Sequence, residues 1–195
     1  MRSGTIIITG FEPFDNADTN PSFEAVKLLP DEFSGFSLLK LQLPVVFKIA
    51  ADMLIEEIKR VAPAFVISTG LAAGRKAVTP ELIAVNLMDA RIPDNAGYKP
   101  EWVRISEDSP DGLFTGLPAK EITEAIKNAG IPAELSFSAG TFVCNDLMYR
   151  VLDSTKDSGL PFGFIHVPEA SVIDPQTAST ALTEALKLMI SGIVR

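Results

Sequence analysis

Apolar positions along the chain follow two periods. Residues 5–9, Thr5-Ile6-Ile7-Ile8-Thr9, are β-branched throughout and predict a strand buried on both faces. Residues 37–43 predict a second strand, ended by Pro44, and residues 64–69 a third, ending at Gly70. Between them the period changes to that of a helix. Phe47, Ala50, Ala51, Leu54, Ile55, Ile58 and Val61 share one face over 47–61, with Glu56 and Arg60 paired on the other. Asn20-Pro21 reads as an N-cap followed by proline at the first helical position, opening a short helix to about Leu29. Helices are also predicted over 118–129, stopped by Gly130, over 141–156, and over 178–193. Further strands are predicted over 81–87, 134–137 and 162–167. Alternating strands and helices predict an α/β sandwich with a largely parallel sheet. No repeat, low-complexity tract or linker divides the chain, so residues 1–195 are expected to form a single domain.

Composition narrows the function. The net charge of −8 leaves no basic patch to meet phosphates, so neither nucleic acid nor an anionic membrane is expected as a partner. The N-terminal apolar run is too short for a signal peptide, and no run reaches the ~18 residues of a membrane span. A single cysteine excludes an internal disulfide, and the free thiol fits a reducing, cytoplasmic location.

Candidate chemistry is sparse. There is one cysteine, Cys144, and one histidine, His166, too few for a Cys/His metal site. A phosphate-binding loop, a dinucleotide fingerprint and a Gly-x-Ser-x-Gly elbow are all absent. Thr141 is the expected N-cap of the helix that carries Cys144. That places the thiol in the first turn, where unpaired N–H groups would favour a thiolate and could hold an oxyanion. The bland alternative is a buried cysteine that packs as a small apolar group. His166 falls at the end of a predicted strand, where open α/β sheets build their sites. A third group should orient the imidazole. Glu81, Asp89 and Asp94 all compete for that role, and spacing does not separate them.

Five segments carry a resemblance to a known family. They are Thr9-Gly10-Phe11-Glu12-Pro13-Phe14 with Asn20-Pro21-Ser22, Gly70-Leu71-Ala72-Ala73-Gly74-Arg75, Thr79-Pro80-Glu81 through Asp89-Ala90-Arg91-Ile92-Pro93-Asp94-Asn95, Ala139-Gly140-Thr141-Phe142-Val143-Cys144-Asn145, and Phe164-Ile165-His166-Val167-Pro168. In these the chain resembles the pyroglutamyl peptidase I, or pyrrolidone carboxyl peptidase, family of omega peptidases over nearly its whole length. The resemblance implies a three-layer α/β/α sandwich with a largely parallel mixed sheet. It implies a cysteine exopeptidase that removes N-terminal pyroglutamate through a thioacyl-enzyme, with Glu81, Cys144 and His166 as its triad. It implies no metal or other cofactor, and a homotetramer. It also maps Phe11, Phe14, Leu71, Arg91, Ile92, Phe142 and Val143 onto substrate-binding positions, with Arg91 near the reacting carbonyl. Some members carry glutamine where Leu71 stands, and Leu71 cannot make that polar contact; Asp15-Asn16 also replaces a Gly-Gly pair common after the second phenylalanine.

Overall fold

The computed structural model describes residues 4–193. In chain order the elements are β1 (Gly4–Phe11), α1 (Pro21–Lys27), β2 (Glu32–Phe33), β3 (Phe36–Leu43), α2 (Ile49–Val61), β4 (Val66–Leu71), β5 (Thr79–Pro80), β6 (Ile83–Val85), β7 (Gly112–Phe114), α3 (Ala119–Asn128), α4 (Val143–Thr155), β8 (Phe162–Val167) and α5 (Pro175–Ile193). Six strands form one sheet in the order β2-β3-β1-β4-β8-β5. The four central strands are parallel, and the short strands β2 and β5 run antiparallel at the two edges. β6 and β7 form a separate antiparallel pair.

Alternation along the strands divides the core in two. Ile6, Ile8, Ile67, Ile165 and Val167 face one side, covered by α1, α3 and α5. Ile7, Phe11, Val66, Phe162 and Phe164 face the other, covered by α2 and α4. The layers are therefore helix, sheet, helix, as expected. Strand β8 spans the residues expected of it, and α2 begins two residues later than its apolar stripe. Among the described residues, no helix is long and apolar enough to cross a membrane.

Three expectations need correction. Residues 81–87 do not form one strand. Thr79 and Pro80 pair with β8, Glu81 makes a single bridge to Ser136, and the chain then leaves the sheet for β6. Residues 134–137 form no strand. They lie along the free edge of β5 through isolated bridges, Val78 to Ala133 and Glu81 to Ser136, and so cover an edge that would otherwise expose unpaired amides. The helix α5 begins three residues early, at Pro175, because Asp174 caps it, accepting from the backbone N–H groups of Gln176 and Thr177.

Candidate active site

The parallel register brings Gly70 of β4 opposite His166 of β8. By strand alternation both residues, with Phe164, face the layer that holds α4. A methyl group at Gly70 would lie 2.8 Å from Cys144 Sγ and 2.9 Å from the tip of the Phe164 ring. The sulfur thus occupies the space that glycine leaves open, beside the row that carries the imidazole. The Phe164 and His166 rings are 4.7 Å apart between centroids, and the Phe11 and Phe164 rings 6.4 Å apart.

Cys144 is the second residue of α4. The N-cap is Phe142 rather than the expected Thr141, and no side chain caps the helix. The Thr141 hydroxyl instead donates to the Asp89 carbonyl at 2.7 Å, tying down the loop before the helix. The N–H groups of the first turn are left for another acceptor. Two buried side chains fix the helix start. Asn145 accepts from the Val85 N–H at 2.9 Å and donates to the Val85 and Leu87 carbonyls. Asp146 accepts from the Lys48 N–H and from Arg150 Nε, both at 2.7 Å.

Of the three acidic rivals, Glu81 meets the histidine. His166 Nδ1 lies 2.8 Å from Glu81 Oε1. The pair is buried, with the glutamate side chain fully so. Asp94 is spent on the backbone N–H groups of Phe47, Ala96 and Tyr98, and Asp89 receives the Trp102 N–H. Burial works to raise the Glu81 carboxyl. The His166 hydrogen bond, with Arg75 beside it, outweighs it, and the group stays below its ordinary value. Burial pushes the imidazole of His166 down, against the pull of Glu81. At rest this describes an ionised glutamate and a neutral histidine whose Nδ1–H donates to Oε1, leaving Nε2 free to accept a proton. The second glutamate oxygen, Oε2, is buried without a hydrogen-bond partner, since the Ser136 hydroxyl engages the Ser138 carbonyl at 3.2 Å.

The resting state of the sulfur departs from the sequence-based expectation. Cys144 is half-buried, and desolvation, aided by the nearby Glu81 charge, pushes its thiol up to about 12. Arg75 and the cysteine's own N–H oppose this and lose. The fraction of the side chain that meets solvent softens the desolvation, but the direction stands: a neutral thiol rather than a standing thiolate. Attack therefore requires a base at the moment of reaction.

Beside the sulfur lies a small apolar cavity of about 30 Å³, lined by Phe11, Phe14, Asn20, Val45, Leu71, Phe142, Val143 and Cys144. Five of the seven residues mapped to substrate contact gather there. Arg91 and Ile92 do not line it, and the side chain of Arg91 is exposed. Asn20 is the one polar lining side chain, and its amide is already engaged in capping α1 and in donating to the Glu12 carbonyl. Sequence reasoning missed Arg75 as a contact of Glu81. Its only signal was a place in the Gly70-to-Arg75 motif. It also missed Gly70, whose importance rests on a register that no local pattern carries.

The chain as a whole is similar to proteins of one known family. A family model described as pyroglutamyl peptidase matches residues 4–194. The pyrrolidone-carboxylate peptidase of Thermococcus onnurineus is 46% identical over 186 residues, covering 93% of each chain. The crystal structure of pyroglutamyl peptidase I from Bacillus amyloliquefaciens superposes with a TM-score of 0.88 at 39% identity, covering 94% of this chain and 93% of that one. A mutant pyrrolidone carboxyl peptidase from Pyrococcus furiosus gives 0.92 at 33% identity, covering 97% and 99%.

Proposed function

This chain belongs to the pyroglutamyl peptidase family, and from that premise we propose that it is a cysteine exopeptidase that hydrolytically removes N-terminal pyroglutamate from peptides and proteins. Cys144 is the nucleophile, His166 the general base and then acid, and Glu81 the group that orients the imidazole. One observation carries the reading: the chain's lone thiol sits against Gly70, the register partner of its lone imidazole, at the edge of an apolar cavity.

The chemistry follows from the resting protonation states. Nε2 of His166 takes the thiol proton as the sulfur attacks the carbonyl joining the lactam ring to the next residue. Glu81 holds Nδ1–H and stabilises the imidazolium that forms. The uncapped first turn of α4 supplies N–H groups for the oxyanion. The imidazolium gives its proton to the departing amine, which leaves a thioester on Cys144. Water, deprotonated by the same imidazole, then releases free pyroglutamate and the thiol.

The cavity suits an uncharged ring. Phe11, Phe14 and Phe142 offer apolar surface, and an ammonium in their midst would lose its water without gaining a partner. At about 30 Å³ the cavity holds about one water, so the ring enters by displacing Phe14 or Phe142, both half-buried. Leu71 offers no polar contact, which leaves recognition of the lactam N–H and C=O to backbone groups. We read residues 1–195 as one catalytic domain. We read the enzyme as cytoplasmic and homotetrameric on the support of its free thiol and its family, with no nucleic-acid or membrane partner given its acidic charge. A pyroglutamyl-anilide reporter beside an unblocked glutamyl-anilide tests the proposal. Cleavage of the first alone is expected, and failure to cleave it contradicts the function.

A further inference from the structure

Glu81 is fully buried and ionised, so a permanent positive charge beside it has work to do. Because His166 rests neutral, it cannot be that charge. Arg75 is. Its Nη1 donates to Glu81 Oε1 at 2.5 Å, on the same oxygen that receives the His166 Nδ1–H. The same nitrogen donates to the hydroxyl of Thr79, the residue paired in register with His166. Nη2 donates to the Ser138 carbonyl at 3.0 Å, in the loop that turns through Gly140 into the Cys144 helix. One guanidinium thus joins the strand that pairs with His166, the carboxylate that orients it, and the approach to the nucleophile. A planar fork is suited to such divergent contacts, and an ammonium is not.

We infer that Arg75 is a positioning residue for the reaction: it fixes the Glu81 carboxylate on His166 Nδ1, and it ties that pair to the loop that sets Cys144. The inference rests on the peptidase reading above. Arg75 does not line the apolar cavity, so it should act on turnover rather than on ring binding. Its side chain is 28% exposed and borders a separate cleft of about 390 Å³ with Lys76, Thr79, Glu134 and Ser136, so an external cation has a route to its place. The ionisable groups acting on one another here are Arg75, Glu81, His166 and Cys144. Arg75 lowers both the imidazole and the thiol by its charge, so its removal raises both, and the acid limb of kcat/KM moves to higher pH.

The test compares wild type, Arg75→Met, Arg75→Lys and Arg75→Ala on a pyroglutamyl-anilide. For Arg75→Met, kcat should fall on the order of tenfold to a hundredfold, as misplaced catalytic groups do, with KM held within about twofold. The acid limb should shift upward. Arg75→Lys should recover part of the loss, and guanidinium chloride at non-denaturing concentration should partly rescue Arg75→Ala. Wild-type kcat and an unshifted profile in Arg75→Met would overturn the inference. So would a loss of activity with no pH shift and no recovery by lysine or guanidinium, which would mark a structural role alone. An inactive wild type, or a Cys144→Ser variant as active as wild type, would instead sink the peptidase reading itself.

Discussion

Gly70→Ala is the most economical perturbation of this site. The added methyl would stand 2.8 Å from Cys144 Sγ, and 2.9 and 3.1 Å from two atoms of the Phe164 ring. Comfortable contact needs about 3.5–4.0 Å, so something must move by about 1 Å. Neither neighbour yields cheaply. Cys144 stands in a helical turn pinned by Asn145 and Asp146, and Phe164 is buried with its ring against those of Phe11 and His166. Overpacking of this kind costs roughly 1–3 kcal/mol, which for a chain of this length lowers Tm by roughly 2–12 °C. The effect on chemistry should exceed the effect on folding, because a 1 Å error in a reacting atom can cost about a hundredfold in rate. The assay is kcat/KM on a pyroglutamyl-anilide beside a melting curve. Gly192→Ala serves as control, since nothing lies within 4 Å of the added methyl on that exposed stretch of α5. Activity should fall by about two orders of magnitude in Gly70→Ala and stay unchanged in Gly192→Ala. A folded Gly70→Ala enzyme within about twofold of wild type would refute the placement of the sulfur against β4.

Other consequences can be measured alongside it. Glu81→Gln should leave more activity than Cys144→Ser, because an amide can still meet the imidazole but cannot stabilise the imidazolium; equal losses would mean that Glu81 does more than orient. With the thiol pushed up to about 12, alkylation of Cys144 by iodoacetamide should be slow near neutral pH. It should keep rising about tenfold per pH unit beyond the ordinary thiol range near 8.5, without a plateau there; a fast, pH-independent rate from pH 6 to 8 would instead mark a standing thiolate. Asn145→Ala removes three hydrogen bonds between α4 and residues 85–87, leaving the Val85 N–H and the Leu87 carbonyl unmet, while the Val85 carbonyl keeps the Leu87 N–H. It should cost roughly 1–3 kcal/mol in chemical denaturation, and a change below that range would show the bridge to be dispensable.

The sheet and its helices were legible because their signals are local. The β-branched run that became β1 and the apolar stripe of α2 announce their period and burial without help from distant residues. So did Asn20, whose side chain caps α1 as the Asn-Pro pair predicts. The site was legible only in part. Glu81 could not be told from Asp89 and Asp94 by spacing, because its meeting with His166 depends on a two-residue edge strand, Thr79–Pro80, too short to leave a pattern. Residues 134–137 look like a strand because polar and apolar side chains alternate along Glu134-Leu135-Ser136-Phe137, yet tertiary context uses them to cover an edge. Thr141 has the chemistry of an N-cap but spends its hydroxyl on Asp89. The ionisation of Cys144 was misjudged for the same reason. A helix start favours the anion locally, whereas the apolar walls and the Glu81 charge that oppose it arrive from elsewhere in the chain.

The most direct measurement is a rapid acid quench of the enzyme during turnover of a pyroglutamyl ester or anilide, followed by intact mass and peptide mapping. Wild type should carry one pyroglutamyl group as a thioester on Cys144, labile to hydroxylamine, and His166→Ala should carry none above background. Turnover without any adduct on Cys144 under conditions where hydrolysis of the acyl-enzyme is slow, or an adduct on a different residue, would contradict the assignment of the sulfur as nucleophile.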